Sequence, residues 1–417
     1  MTVVEFVPEG ASPSRSDADF TVPWPRQHDR ATPHADIDLD PFITRFGKVP
    51  EPAIDLCRVS IGAYIADRLV RRASDNWRRE ITLVVPLVDP VGFRSAVDLV
   101  ETLLFWLSGD DWHITALAQN ASRPAVATGV GQVDTVALAS GGLDSTCAAL
   151  LSGAATTLIG IRDSKAAARA QSLVQGDLTG LWGSVTYERV GVHARQPREL
   201  SSRTRSAMFT ALGTALAAAR HSSSLIVPEN GFTSLNPPLA ANRGGPHTTR
   251  STHPTTFAYA NAVNRALGLD VRLQNPYEWL TKGDLVSAAA QHVGRSLLES
   301  VVPHTFSCAR ANGQFFRGGH AFLNCGICVS CMTRRGAVRA AGLTDNTEYL
   351  LDRLEGETLN RFMAERGNDL PVVRVLRGWK PSTADILALE PLPDGFDYDR
   401  GRALLERGVE ELVNGLP

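Results

Sequence analysis

The sequence lacks any long apolar run, and this absence limits the class of protein. Its 417 residues contain no stretch that approaches the ~20 apolar residues of a membrane-spanning helix. The N-terminus also lacks a charged region followed by an apolar core, which is the pattern of a secretory signal. We therefore predict a cytoplasmic protein that does not enter a membrane.

The sequence also has little excess charge of either sign. Its 42 lysines and arginines and 44 acidic residues leave a formal net charge of -2. Proteins that coat nucleic acid by bulk electrostatics are strongly basic, so we expect no bulk nucleic-acid binding. A local basic groove is compatible with this balance. The hydrophobic share of 43% supports a sizeable core, and the length favours two or three domains.

Cysteine is scarce, and most of it is concentrated in one segment. Four of the six cysteines follow a C-x16-C-x2-C-x2-C pattern: Cys308, Cys325, Cys328 and Cys331. Four thiolates so spaced suit a closed structural zinc site, with a redox pair or an iron–sulfur cluster as alternatives. Because a closed site leaves no position for water, we assign the zinc no catalytic role. Cys57 and Cys147 lie in apolar helical surroundings and are predicted core residues.

A Walker-type phosphate loop is absent, and a different glycine turn stands in its place. No G-x-x-x-x-G-K-[ST] string occurs. The apolar run from Val133 instead ends at Ser140-Gly-Gly-Leu-Asp-Ser145, and a helical stretch opens at Thr146. Glycines let backbone N–H groups turn toward an anion, and a helix N-terminus adds partial positive charge. The pattern predicts a phosphate site and resembles the PP-loop of ATP pyrophosphatases.

The PP-loop resemblance implies a nucleotide site and a reaction type. Such enzymes cleave ATP between its α and β phosphorus atoms and leave an adenylate on the substrate. Asp144 would hold a magnesium ion or orient the loop, and Asp144 and Ser145 are candidate catalytic residues. The predicted nucleotide-binding residues of the loop are Ala139, Ser140, Gly141, Gly142, Leu143, Asp144, Ser145 and Thr146.

From Val133 onward, predicted strands and helices alternate, which indicates a parallel sheet. The candidate strands are 133–139, 156–162, 184–190, 224–228 and 270–274. We predict an α/β fold with a doubly wound parallel five-stranded sheet, of the adenine nucleotide alpha hydrolase type. The predicted segments are an extended segment (1–50), an N-terminal α/β extension (51–130), the PP-loop domain (131–300), a zinc-binding segment (301–344) and a C-terminal helical extension (345–417).

Several polar strings outside the loop are candidate ligand contacts. Arg203 and Arg205 stand at a predicted helix start, where cations oppose the helix dipole, so they can serve phosphate or carboxylate; a solvated helix start is the alternative. Lys282 opens a later helix, where it is a further candidate catalytic residue that can reach a nucleotide phosphate, although exposed lysines are common. The candidate substrate residues, each with an ordinary turn or surface alternative, are Glu229, Asn230, Arg250, Ser251, Thr252 and His253.

Taken together and in this order, the motifs resemble the 7-cyano-7-deazaguanine synthases, the QueC family. The resemblance covers roughly residues 133–342 and is carried by S-G-G-L-D-S, R-T-R-S, the helix start at Lys282 and S-C…C-G-I-C-V-S-C-M-T-R. It implies ATP, Mg2+ and Zn2+ as cofactors and 7-carboxy-7-deazaguanine as the substrate. That family activates the acid with ATP, forms an amide with ammonia and dehydrates the amide to a nitrile with a second ATP.

The chain also departs from that family. It carries about 130 residues before the loop and about 70 after the cysteine segment, and Glu229-Asn-Gly stands where the family has a tyrosine-proline-aspartate-cysteine string. These features resemble the enlarged QueC-like proteins of anti-phage operons, including the Qat type. A protein amine from the same operon can then replace ammonia. The alternatives are a PP-loop enzyme that modifies tRNA and a non-catalytic nucleotide-binding subunit of a defence complex.

Overall fold

The computed structural model describes residues 1–8, 10–24, 35–37, 39–72, 78–118, 131–199, 202–237, 250–309, 313–366, 369–387 and 390–417. The chain divides into two compact units. The first comprises Met1–Leu138, Glu188–Val227 and Gly244–Gln274, and the second Ala139–Tyr187, Pro228–Arg243 and Asn275–Pro417. Of the polar, glycine-rich string at 242–254, positions 242–249 lie outside the described residues.

The described residues form ten strands. These are β1 (Thr2–Pro8), β2 (Phe20–Trp24), β3 (Ala35–Ile37), β4 (Glu80–Leu87), β5 (Asp111–Ala118), β6 (Val136–Leu138), β7 (Thr157–Arg162), β8 (Tyr187–Ala194), β9 (Ser224–Ile226) and β10 (Arg272–Gln274).

The α-helices of the described residues range from single turns to five turns. They are α1 (Leu39–Phe46), α2 (Glu51–Leu69), α3 (Pro90–Phe93), α4 (Val97–Ser108), α5 (Leu143–Ser152), α6 (Lys165–Trp182), α7 (Arg205–Ala219), α8 (Gly231–Ser234), α9 (Pro254–Ala266), α10 (Lys282–Val293), α11 (Arg295–Val301), α12 (Val329–Ala340), α13 (Gly356–Arg366), α14 (Leu370–Val375), α15 (Thr383–Leu387) and α16 (Tyr398–Asn414). None of the helices in these described ranges combines the length and the apolar character needed to cross a membrane.

A four-stranded sheet with the order β2-β1-β4-β5 lies in the first unit, and all of its neighbouring strands are parallel. Within 51–130, which the sequence analysis assigns to a small α/β extension, the described residues include α2, β4, α4 and β5. Residues 1–50 differ from our expectation of extended chain, because β1 is an interior strand of this sheet. Val3, Val4, Phe6 and Val7 on β1 are all buried, and apolar residues on both faces are typical of interior parallel strands.

The second sheet has six strands in the order β10-β9-β6-β7-β8-β3. The five strands predicted from the sequence are all present, and their order places the first strand, β6, between β7 and β9. This is the doubly wound arrangement that we predicted. The pairs β6–β9 and β9–β10 are parallel. The sixth strand, β3, is an addition from the N-terminal fifty residues and pairs antiparallel with β8.

In the second unit, helices pack closely around α12. Helix α12 contacts both α10 and α16. At Gly336 on α12, a side-chain Cβ would lie only 1.9 Å from the backbone oxygen of Glu411 on α16. The core beside them includes Ile327, Met332 and Leu412, all buried. The C-terminal helix is thus part of the same core as the cysteine segment.

Candidate active site

The chain segment after β6 forms a tight turn that ends at the start of α5. Gly141 has a φ of +81°, and a Cβ there would lie 2.9 Å from the Gln171 backbone nitrogen. Only glycine meets both conditions without strain. Ser140 Oγ accepts a hydrogen bond from the Gly142 N–H at 3.2 Å and lies 3.2 Å from Ser145 Oγ. The turn is therefore held by its own hydroxyl groups.

The N-terminus of α5 presents unused donors. Leu143 N–H donates to Ser307 Oγ at 3.1 Å, and Thr146 N–H donates to the Gly142 carbonyl. The N–H groups of Asp144 and Ser145 have no hydrogen-bond partner within the described part of the chain. Free N–H groups at a helix start, next to a glycine turn, form an anion site. The geometry agrees with the predicted phosphate loop.

Four polar side chains meet at the first turn of α5. Lys282 Nζ donates to Asp144 Oδ1 at 2.6 Å, and Asn230 Nδ2 donates to Asp144 Oδ2 at 2.8 Å. The same amide donates to Glu229 Oε1 at 2.8 Å, and Lys282 Nζ lies 4.0 Å from that oxygen. Asp144, Asn230 and Lys282 are buried. The structure thus brings together four residues that the sequence analysis named separately.

The protonation of this cluster follows from burial and charge. Burial opposes ionisation of Asp144, but the charge of Lys282 and the hydrogen bonds from its neighbours lower the pKa of Asp144 to about 2. Burial and the nearby Asp144 charge raise the pKa of Glu229 well above its usual value. Burial also opposes the charge on Lys282, yet the two carboxyl groups raise its pKa. The Lys282 cation therefore favours the ionised form of Asp144, whereas burial and the Asp144 charge favour the protonated form of Glu229.

Local backbone structure fixes Glu229 and Asn230. The Asn230 side chain caps α8 by accepting from Thr233 N–H at 3.0 Å. Asn275 Nδ2 donates to the Glu229 carbonyl at 2.7 Å. Gly231 must be glycine, because a Cβ there would lie 1.9 Å from the Glu278 carbonyl oxygen. The Glu-Asn-Gly string is thus a close-packed helix start.

Lys282 is fixed by an elaborate helix cap. Thr281 precedes α10 and exchanges hydrogen bonds with Asp284 in a capping box, with both N···O distances 3.0 Å. The Glu411 carboxylate of α16 accepts from Thr281 Oγ1 and from Gly283 N–H, the latter at 2.9 Å. Sequence reasoning missed Glu411, because it lies 130 residues after Thr281 and no local pattern links the two.

The four predicted zinc ligands form one cluster. Their sulfur atoms all lie within 4.8 Å of one another, and Cys325 Sγ and Cys331 Sγ are 3.7 Å apart. Tetrahedral zinc–thiolate bonds of ~2.3 Å give sulfur separations of about 3.8 Å, so the donor set fits that ion. Gly326 has a φ of +84°, and Ile327 N–H points to Cys325 Sγ at 3.4 Å. Cys57 and Cys147 are buried core residues, as predicted.

The cysteine segment is connected directly to the phosphate loop. Phe306 N–H donates to the Gly141 carbonyl at 2.9 Å, and Ser307 Oγ accepts from Leu143 N–H. Ser307 N–H in turn donates to Asn324 Oδ1 at 3.1 Å. Since Ser307 precedes Cys308 and Asn324 precedes Cys325, two metal-ligand positions are adjacent to loop contacts. Sequence reasoning missed Ser307 as a site residue, although it belongs to the S-C part of the motif.

The remaining candidates belong to the first unit, where each has a contact of its own. Arg203 Nη1 donates to the Ser108 carbonyl at 3.1 Å, and burial, followed by the Arg72 charge, lowers its pKa. The Arg205 guanidinium lies 4.5 Å from the centre of the Phe209 ring. Phosphate or carboxylate binding by this pair stays a prediction.

The four candidates at 250–253 surround the start of α9. Arg250, Ser251 and Thr252 form one 3-10 turn, and Arg250 Nη1 donates to the Trp106 carbonyl at 2.6 Å. His253 Nδ1 accepts from Thr255 N–H and caps α9, and burial lowers the pKa of His253 to about 4. Their role in substrate binding stays a prediction.

Comparison with known proteins finds similarity to the family that the motifs resemble. No family model matches the chain. A 7-cyano-7-deazaguanine synthase of Methanocaldococcus jannaschii is 31% identical over 99 residues, which are 23% of this chain and 40% of that protein. The 7-cyano-7-deazaguanine synthase 1 of Mesorhizobium japonicum is 34% identical over 94 residues, which are 22% of this chain and 34% of that protein. The 7-cyano-7-deazaguanine synthase of Sinorhizobium fredii is 36% identical over 80 residues, which are 19% of this chain and 28% of that protein.

The similarity is confined to part of each sequence, since the matched region spans at most 40% of these curated relatives. Within the chain, the predicted parallel α/β sheet and the clustered cysteines are both present. The predicted resemblance is therefore confirmed: part of the chain is similar to 7-cyano-7-deazaguanine synthases.

Proposed function

We propose that the chain is an ATP-dependent C–N ligase that adenylates 7-carboxy-7-deazaguanine or a close analogue. The proposal rests on the start of α5, where the unused N–H groups of Asp144 and Ser145 lie next to the Asp144 carboxylate and the Lys282 ammonium. The similarity to 7-cyano-7-deazaguanine synthases supports the choice of acid. The structural fit of the cysteine cluster supports zinc as a structural ion.

The proposed first step gives the acyl carbon of the acid a good leaving group, AMP, in place of the poor leaving group that a free carboxylate has. A carboxylate oxygen attacks the α-phosphorus of ATP, the bond to the bridging oxygen breaks and pyrophosphate leaves. The N–H groups of Asp144 and Ser145 and the Lys282 ammonium would stabilise the charge on pyrophosphate. Asp144 would hold Mg2+, which when bound neutralises phosphate charge. Holding the acid and ATP together supplies much of the remaining rate enhancement.

In the second step, a nitrogen nucleophile attacks the acyl carbon, the C–O bond to AMP breaks and an amide forms with loss of a proton. The oxygen of a primary amide can then attack the α-phosphorus of a second ATP with loss of pyrophosphate, and departure of AMP with that oxygen and of the two N–H protons gives a nitrile. We propose a protein amine as an alternative to ammonia, because the regions outside the PP-loop domain offer surface for a protein partner. An anti-phage role follows from the resemblance to enlarged QueC-like proteins.

Acid-dependent pyrophosphate release tests the adenylation step. We expect the wild-type chain with ATP and Mg2+ to release pyrophosphate only when 7-carboxy-7-deazaguanine is added. Asp144→Asn preserves the shape and should reduce the rate about a hundredfold or more. Glu410→Gln, an exposed change on α16, serves as the control. Pyrophosphate release that does not depend on the acid, or that continues at the wild-type rate in Asp144→Asn, would contradict the proposal.

Mass spectrometry identifies the nucleophile. The reaction is run with ammonium or with proteins of neighbouring genes, and both small molecules and intact proteins are weighed. A protein mass increase that requires ATP and the acid supports a protein amine. Formation of the nitrile without any protein adduct would contradict the protein amine as nucleophile, and would agree with the reaction of the 7-cyano-7-deazaguanine synthases. A plaque assay with the Asp144→Asn variant tests the defence role.

A further inference from the structure

Arg162 is a cation at the end of β7 that lies outside both the Asp144–Lys282 pair and the predicted ligand contacts. It is the last residue of the strand, and ligands of doubly wound sheets bind beyond the carboxyl ends of the strands. Within the described residues its guanidinium group makes no hydrogen bond, ion pair or ring contact, and its Nε atom is buried. Buried donors without an acceptor are rare in proteins, so such a donor indicates a functional role.

Two hydrogen bonds place Arg162 beside the phosphate loop. The buried Gln171 of α6 donates from Nε2 to the Ile161 carbonyl at 3.1 Å and to the Ser140 carbonyl at 3.4 Å. Ile161 directly precedes Arg162, and Ser140 opens the glycine turn. The end of β7 and the turn therefore lie side by side.

The face of β7 that carries Arg162 is the face that meets the loop. Side chains alternate along a strand, so Arg162 and Gly160 leave β7 on the same face. A Cβ at Gly160 would lie 2.7 Å from the Ala139 carbonyl oxygen and 2.9 Å from Gln171 Cδ. Glycine at this position lets the chain at Ala139 approach the strand closely, and Arg162 is the next residue on that face.

Arg162 and Lys282 lie on different sides of the loop. Strand β6, which leads into the loop, lies between β7 and β9 in the sheet. Asn230 follows β9 and donates to Asp144, as Lys282 does. The turn therefore has one cation on the β7 side and another on the β9 side, and both belong to the second unit.

The proposed reaction divides the triphosphate into two anions, and each needs its own stabilisation. In that mechanism pyrophosphate leaves toward the N–H groups of α5 and the Lys282 ammonium, while the α-phosphate stays on the acid as its adenylate. The adenylate has to stay bound until the nitrogen nucleophile attacks. A guanidinium group presents paired N–H donors that match two phosphate oxygens. Arg162 has this chemistry, and its donors are unused by the described part of the chain.

We propose that Arg162 binds the α-phosphate of the nucleotide and holds the acyl adenylate after pyrophosphate has left. The inference rests on the proposed ligase function and adds a binding residue on β7 to it. It separates two tasks, since Lys282 binds the departing pyrophosphate and Arg162 binds the AMP part. The carboxylate of the acid is an oxyanion too, so the experiment includes it as the alternative ligand.

Calorimetric titrations of the full chain with AMP, adenosine and magnesium pyrophosphate test this assignment. Arg162→Met removes the donors and keeps much of the side-chain length. We expect it to weaken AMP binding about tenfold or more and to leave the affinities for adenosine and pyrophosphate at the wild-type values. Arg162→Lys, which retains the charge without the paired donors, should bind AMP with intermediate affinity. The matched control is Arg377→Met, an exposed position after α14, which should bind all three ligands as wild type.

Thermal unfolding without ligand separates binding from a structural role. Arg162→Met should melt no lower than the wild type, because no group in the described residues loses a hydrogen-bond partner. A lower melting temperature together with unchanged AMP affinity would mean that Arg162 acts only on folding, and would overturn the inference.

The remaining outcomes identify which proposal fails. If Arg162→Met weakens binding of 7-carboxy-7-deazaguanine and not of AMP, the arginine binds the carboxylate and the phosphate assignment is wrong. Unchanged affinity for both ligands overturns the inference and leaves the ligase function intact. A wild-type chain that does not bind AMP overturns the inference as well, and the ligase function fails with it only if the acid also elicits no pyrophosphate release.

Discussion

Gly141 determines whether the phosphate loop can form at all. Its positive φ and the 2.9 Å approach of a Cβ to Gln171 N leave no room for a side chain. We predict that Gly141→Ala destabilises the chain by about 2 kcal/mol or more and weakens ATP binding. Thermal unfolding and ATP titration measure both effects.

The control lies on α6, where Gly176 is exposed and a Cβ would have no neighbour within 4 Å. Gly176→Ala should stabilise the helix by up to about 1 kcal/mol. If both variants melt at the same temperature, the strain argument at Gly141 is wrong.

His253 gives a pH-dependent contribution to stability. Its folded pKa of about 4 lies below the ordinary value of 6.5, because the ring is buried. The contribution is therefore complete above pH 6.5 and is lost as the pH falls toward 4. The full effect is about 3 kcal/mol.

The matched variant is His253→Asn, which retains an acceptor for the helix cap but cannot titrate. Urea unfolding at pH 7.5 and pH 5 should show a smaller loss of stability for this variant than for the wild type. An equal loss in both proteins would contradict the assignment.

At the scale of elements, the sequence predicts the repeating α/β part well because its strands and helices have distinct periods. The predicted strands 156–162 and 224–228, for example, occur as β7 and β9. The sequence analysis did not predict β1, although Val3, Val4, Phe6 and Val7 form an apolar segment that only Glu5 interrupts and that ends at Pro8. Strand β3 has only three residues, and its antiparallel pairing with β8 leaves no local pattern.

The candidate site, like the fold, has one part that the local sequence predicts and one part that it does not. The turn from Ser140 to Ser145 is local, so its sequence predicts its shape. The pairing of Asp144 with Lys282 joins residues 138 positions apart, and no periodicity encodes it. The sequence analysis names each residue as a separate candidate, whereas the cluster that they form depends on how the helices pack.

Helix α16 stabilises the start of α10 through one carboxylate. We predict that Glu411→Gln costs about 1–2 kcal/mol of stability, because an amide nitrogen replaces one of the two oxygens that accept from Thr281 Oγ1 and Gly283 N–H. It should also reduce kcat for pyrophosphate release several-fold, because Lys282 follows the capped Thr281. KM for ATP should change less than kcat.

Steady-state kinetics separate these effects, with the exposed Glu410→Gln as the control. Glu411→Asp should restore part of kcat if the carboxylate positions the helix start. A loss of stability with unchanged kcat would mean that Glu411 acts only on folding.

At the scale of the whole molecule, metal binding and nucleotide binding should be coupled within the second unit. Ser307 joins the Cys308 segment to Leu143 in the loop. We predict that Cys328→Ser, or chelation of the metal, lowers zinc content and weakens ATP binding, because structural zinc supplies folding energy.

Elemental analysis and ATP titration measure the two effects together. Cys57→Ala, which removes a buried thiol outside the cluster, should keep both zinc and ATP affinity near wild type. Loss of zinc with unaltered ATP affinity would show that the two sites are independent.

The Glu411 cap also sets an order of events during protein synthesis. The phosphate loop and Lys282 leave the ribosome long before Glu411, which follows Thr281 by 130 residues. Until that carboxylate arrives, Thr281 Oγ1 and Gly283 N–H lack the acceptor that they have in the finished chain. We therefore expect a nascent chain to form the glycine turn before the start of α10 is capped, so that the proposed turnover would begin only after α16 has been translated.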